Sequence, residues 1–247
     1  MDRAATVGRT SRPLATCCLA LLLIPVCVVA WFWYDVRHTE RVNDERLRDT
    51  LVSVLRKARE DGASAARALG TSQDTGTDAL TGLIWKHTEA SVITYDAGGE
   101  EFTATAFRSA VADQEAVLLS SGPELVRRCL RFTYVRDTGR TWTSKVTVLR
   151  DDDVCRPSER IGSLAELARR RLTSMYTKDL TTAGVRRTLA LPKRAYDVRS
   201  VVRQGRTVTV GALVRDDPSA AQCYRYTRPL DPDAGLREAT VVAAATC

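Results

Sequence analysis

Two segments of this sequence place an arginine two residues after a cysteine: Cys129-Leu-Arg131-Phe-Thr133 and Cys223-Tyr-Arg225-Tyr-Thr227. Each is followed at a similar interval by a second cysteine, Cys155 or Cys247. A thiol can act as a nucleophile, a metal ligand or half of a disulfide. A thiolate nucleophile needs a partnering base, and the only histidines are His38 and His87. Of these only His87 lies in the folded part of the chain, where its place at a helix end suits a partly exposed residue rather than a base. Zinc sites use CxxC-type spacings or nearby histidines, and neither accompanies these cysteines. That leaves disulfides. Four cysteines allow three pairings, and the repeat selects Cys129–Cys155 and Cys223–Cys247. Each bridge closes a loop of roughly 25 residues and is worth about 3 kcal/mol. The matching arginines share their cysteine's sheet face, opposite the aromatic one. Arg131 and Arg225 are therefore the candidate anion or partner contacts, with cross-strand pairing to threonine or acidic neighbours as the plainer alternative.

Other reactive patterns are missing. The chain has no glycine-rich phosphate loop, no HExxH and no GxSxG elbow. Asp151-Asp152-Asp153 lacks the donors and glycine turn of a calcium loop and reads as a solvated turn. The expectation is a protein with no catalytic residue, no metal site and no cofactor, hence not an enzyme. A cell-wall hydrolase stays open only because the spacing of a carboxylate pair is a tertiary property.

The repeat extends beyond the cysteines. Asp78 stands 17 residues before Tyr95-Asp96, and Asp179 stands 17 before Tyr196-Asp197. Each Tyr-Asp is read as a core tyrosine at a strand end and a turn aspartate. Alternating strands follow, Thr103 to Phe107 and Thr207 to Gly211, with a hairpin turning at Gln204-Gly205. A short helical segment is expected over 79–87, strands over 91–95, 101–108, 195–203 and 206–214, and an irregular insertion over 109–123. Ser163 and Glu166 form a capping box that starts a helix, with Leu164, Leu167, Ala168, Leu172 and Met175 on its apolar face. Arg169-Arg170-Arg171 reads as solvated, with contact to anionic lipid or wall polymer as the alternative. Each repeat is thus a helix, a short helical turn and four antiparallel strands, the helix covering one sheet face.

Leu14 to Tyr34 carries no charge and ends in Trp31-Phe32-Trp33-Tyr34, which suggests a transmembrane signal-anchor. Val28-x-Ala30 suggests the alternative of secretion after cleavage near Ala30. Cys17, Cys18 and Cys27 in this run read as small apolar residues. Residues 36–69 form a helix with Leu47, Leu51, Val54, Ala58 and Ala65 on one stripe, broken at Asp61. That stripe either packs on the protein's own sheet or joins a second copy or a membrane-complex partner. The fold class is α+β, a transmembrane helix followed by two tandem helix-plus-antiparallel-sheet units, each with a disulfide. The expected boundaries are a cytoplasmic tail over 1–13, a membrane helix over 14–34, a juxtamembrane helix over 35–70, and α+β units over 71–157 and 158–247.

The net charge of +7 is spread along the chain without basic patches interleaved with aromatics, which argues against nucleic acid. Paired cysteines imply an oxidising compartment, which puts the C-terminal region outside the cell and the N-terminus in the cytoplasm. The layout, an N-terminal hydrophobic helix running into an antiparallel sheet closed by a late disulfide, resembles that of type IV pilins. It departs from them in lacking the prepilin cleavage motif and in doubling the sheet, so the resemblance carries no residues over. The expected function is a membrane-anchored, extracytoplasmic, non-catalytic binding or assembly protein, with a ligand- or signal-sensing ectodomain as the alternative.

Overall fold

The computed structural model describes residues 12–115, 122–138, 141–192, 194–217, 220–230 and 238–247, with side chains from residue 23 onward. Its elements follow the order α1 (Arg12–Thr71), α2 (Thr77–Thr88), β1 (Val92–Asp96), β2 (Glu101–Ala112), β3 (Glu124–Arg136), β4 (Trp142–Val148), α3 (Arg156–Ser174), α4 (Thr182–Thr188), β5 (Tyr196–Gln204), β6 (Thr207–Asp217), β7 (Ala220–Pro229) and β8 (Thr240–Ala244). The strands form two four-stranded sheets in the orders β1-β2-β3-β4 and β5-β6-β7-β8. A long helix, a short helix and a four-stranded meander therefore occur twice in the same order. The bridges Cys129–Cys155 and Cys223–Cys247 are both present, with S–S distances of 2.02 and 2.03 Å.

The membrane-crossing helix expected over 14–34 must be corrected. Among the described residues, no helix is long and apolar enough to cross a membrane. The apolar residues instead begin a helix of 60 residues, which carries charges from Asp35 onward. Leu23, Ile24, Val26, Val28, Val29, Trp31 and Trp33 are exposed on it, as is the free thiol of Cys27. The tail over 1–11 and the side chains of Cys17 and Cys18 lie outside the described residues.

The chain divides into two compact units. The smaller joins Met1–Leu51 to Val111–Leu125; of the insertion expected to be irregular over 109–123, residues 109–112 continue β2, 113–115 and 122–123 are irregular, and 116–121 lie outside the described residues. Asn43 and Glu115 exchange two hydrogen bonds, Nδ2 donating to the Glu115 carbonyl at 3.2 Å and Glu115 N–H to Oδ1 at 2.8 Å. Arg46 pairs with the Glu115 carboxylate at 2.5 Å.

The larger unit joins Val52–Ala110 to Val126–Cys247. One hydrophobic core runs through it, drawing on both sheets and all four helices. Val54, Ala58 and Ala65 of the α1 stripe are buried, as is Leu69 further along the helix, while Leu47 and Leu51 are only partly covered. Gly62 lies so close that an added Cβ would meet Val146 at 3.3 Å and Phe132 at 3.5 Å. In the second repeat α3 packs on β6, β7 and β8. Strand alternation decides which side faces in: Leu130, Phe132 and Tyr134 of β3, and Tyr224 and Tyr226 of β7, are buried, while Arg131, between Leu130 and Phe132, and Arg225, between the two tyrosines, are exposed.

Helix α3 begins at Arg156 rather than at Ser163, so no capping box forms there. Proline is favoured in the first helical turn, and Pro157 stands near the start of α3, which follows directly on a 3₁₀ turn capped by Asp151. Glu166 instead holds Arg169 at 2.7 Å and Arg170 at 2.9 Å. Arg169 also reaches Glu238 at 3.0 Å, and Arg171 donates to the Leu191 carbonyl. The three arginines are thus engaged within the chain. Arg169 and Arg170 hold the Glu166 carboxyl down at about 2, below its usual range. A group with a lowered folded pKa adds stability above its unfolded pKa, near 4.3. That stability is lost as pH falls from there to about 2. Because Glu166 is 38% exposed, screening reduces the effect. Glu166→Gln is expected to cost about 1 kcal/mol at pH 7, a difference that urea melts should show shrinking below pH 4 and vanishing as the pH falls through about 2.

Candidate functional site

A concave surface of the larger unit lies between α2 and β8. It encloses about 700 Å³, with Ala79, Gly82, Leu83 and Trp85 on the helical side and Thr240 to Ala244 on the strand side. Local sequence explains the helix. Asp74 Oδ1 accepts from Gly76 N–H at 2.8 Å just before α2 starts. Lys86 and His87 stand in its last turn, where cations suit the helix dipole. Glu89, at φ 49°, ends it in the left-handed conformation. Gly82 permits the close approach, since an added Cβ would stand 3.0 Å from Val242 Cγ1.

The polar groups of this groove are tied to one another. Asp78 accepts from the Thr246 N–H at 2.8 Å and from its hydroxyl at 3.0 Å, and pairs with the Arg225 guanidinium. One carboxylate thus clasps the C-terminal segment beside the Cys223–Cys247 bridge and neutralises Arg225. The other groove carboxylate, Asp74, is engaged at the helix start. A two-carboxylate hydrolase needs one group free to protonate and another free to attack or to activate water. Asp78, with both oxygens committed, acts instead as a structural clasp. Asp78→Ala is expected to cost about 1 kcal/mol for this half-exposed pair and to speed amide exchange at Thr246, as hydrogen-exchange measurements would show.

The two candidate arginines therefore differ. Arg225 stands at the groove and is charge-paired. Arg131 lies on the other sheet, opposite Thr147 in the register, and is exposed without an ion pair among the described residues. Nothing brings the two together. His87 Nδ1 lies 3.2 Å from Ser64 Oγ, a helix-end contact between α2 and α1. Tyr95, expected in the core, is instead 38% exposed and packs at a tilt against Phe102 with centroids 4.5 Å apart. A ring on the outer rim gains apolar contact on one side only. Tyr196 is half-buried and donates to the Leu164 carbonyl at 2.8 Å. Asp96 accepts from Gly98 N–H in the β1–β2 turn, whereas Asp197 lies within β5 and pairs with Arg199 at 2.8 Å.

The sequence reading passed over a second cluster. Asp61, which interrupts the α1 stripe, meets Arg108 of β2 at 3.4 Å and Lys57 at 3.0 Å. Arg108 also donates to the Thr88 carbonyl at 2.5 Å and reaches Glu89 at 3.6 Å. The adjacent Tyr134 phenol is pushed up, chiefly by burial and further by the Asp61 charge. The signal was the acid itself, since a carboxylate on an otherwise apolar stripe needs a buried cation.

No family model matches the chain, and no curated protein matches it. Among solved structures, an Ntf2 like protein involved in plasmid conjugation overlaps 63% of this chain and 75% of its own, at 9% identity and a TM-score of 0.17. At that score the overlap bears on neither the fold nor the function of this chain.

Proposed function

We propose that this chain is a non-catalytic binding or assembly protein acting outside the cytoplasm, and that the α2–β8 groove takes its partner. The groove carries this reading: it is an open concavity with apolar walls in which Asp78 and Arg225 satisfy each other. Such a surface suits holding a partner more than proton transfer, which needs a group poised to change charge. The two bridges support that compartment, because disulfides persist in oxidising surroundings.

A photoreactive side chain at Leu83 tests the groove in cells that produce the full chain. A discrete cross-linked species formed from Leu83, and not from a control position at Val202 on β5, is the expected result. The absence of any adduct at Leu83 overturns the reading. Maleimide labelling of intact cells tests the compartment, with Cys129, Cys155, Cys223 and Cys247 expected to react only after reduction.

A further inference from the structure

The Asp78–Arg225 pair is made once within the chain, yet the sequence contains its two halves twice. Asp179 precedes Tyr196 by the interval that separates Asp78 from Tyr95, and Arg131 follows Cys129 as Arg225 follows Cys223. Asp78 and Arg225 find each other because α2 packs on β8. The counterparts do not. Asp179 is exposed beside α4, Arg131 is exposed on β3, and neither side chain has an ion pair or hydrogen bond among the described residues. Helix α4 packs on β5 and α3, and Tyr176 and Leu191 beside it are 74% and 61% exposed. Strand β4 ends the first sheet as β8 ends the second.

We propose that these half-made contacts join two copies of this chain head to tail. In that contact α4 of one copy lies on the β3–β4 side of the next, and Asp179 pairs with Arg131 across the interface. Three observations favour a second copy as the occupant. The charges are complementary, and both partners lie on the same chain. The internal α2–β8 contact shows the packing that these elements adopt when they meet. Where Gly82 lets α2 approach Val242, the matching position on α4 is the small, exposed Ala183, and the residue opposite Arg131 is Thr147, as Val242 is opposite Arg225. One feature of the internal clasp is not reproduced, because Asp151 stands where Thr246 does. The intermolecular contact relies on Arg131, with the exposed Arg150 beside it. Since the two surfaces differ, the contact is heterologous and builds a ring or an open chain. It uses a different surface from the α2–β8 groove and does not depend on it.

Sedimentation velocity of the purified full chain over a range of concentrations is the test. The wild-type protein is expected to self-associate. Asp179→Arg and Arg131→Asp, both at exposed sites and checked for folding by circular dichroism, should each weaken association about tenfold or more through like-charge contact. The doubly reversed variant should recover it, as should an equimolar mixture of the two single variants, in which each reversed charge meets its complement. A wild-type chain that stays monomeric overturns the proposal. So does association that neither single variant weakens, the result expected if the exposed apolar residues of α1 join the copies instead. A double reversal that fails to recover association also overturns the direct pairing.

Discussion

Arg108→Leu lowers the stability of the larger unit by about 3 kcal/mol. The guanidinium is 19% exposed and the Asp61 carboxylate that it faces 16%. Removing the arginine leaves Asp61 with Lys57 alone, and that lysine is 71% exposed and so a well-screened partner. It also strips the Thr88 carbonyl, at the end of α2, of its donor. A buried charge left uncompensated costs more than the pair contributes when whole. The decisive comparison is therefore the double variant Asp61→Leu/Arg108→Leu, which is expected to recover much of the loss because an apolar pair restores the α1 stripe. Urea midpoints of the two single variants and the double variant form the cycle. A double variant as unstable as the sum of the singles would mean that the two side chains act independently.

Cys129→Ser/Cys155→Ser is expected to cost a similar amount, about 3 kcal/mol. The bridge spans 26 residues and joins β3 to the turn before α3. Both cysteines are fully buried, so the serines also lose apolar contact. The Cys223–Cys247 bridge spans 24 residues, and by loop length alone its removal costs the same. It differs in location, because it fixes Cys247 next to the Asp78 clasp. Thermal melts with and without reductant should show the wild type falling to the level of a variant lacking both bridges. A reductant-insensitive melt would show that the bridges contribute nothing to stability.

Much of the fold was legible because it depends on local pattern. The Thr-Val alternation of β6, the Phe-x-Tyr and Tyr-x-Tyr alternation of β3 and β7, and the apolar periodicity of α1 from Val54 onward each name a buried face without reference to the rest of the chain. The start of α3 was misplaced because Ser163 and Glu166 have the right spacing for a cap, whereas Pro157 and the preceding 3₁₀ turn begin the helix a full two turns earlier. The apolar run near the N-terminus was misjudged for a related reason. Composition over 21 residues suggests a membrane span, but among the described residues no helix is long and apolar enough to cross a membrane.

The candidate site was legible only in its parts. The repeat marked Asp78, Asp179, Arg131 and Arg225 as matching residues without indicating that Asp78 and Arg225 meet. The sequence by itself determined the strand faces, the disulfide pairing and the repeated order of elements, because periodicity and spacing are properties of the chain. Only the tertiary structure decided that α2 packs on the sheet of the other repeat, that Arg225 is neutralised while Arg131 is not, and that Asp61 is the partner of Arg108. Those outcomes depend on which surfaces of the two repeats are brought together. Two nearly equivalent repeats in one chain cannot both occupy the same surroundings, so packing distinguished residues that the sequence had made alike.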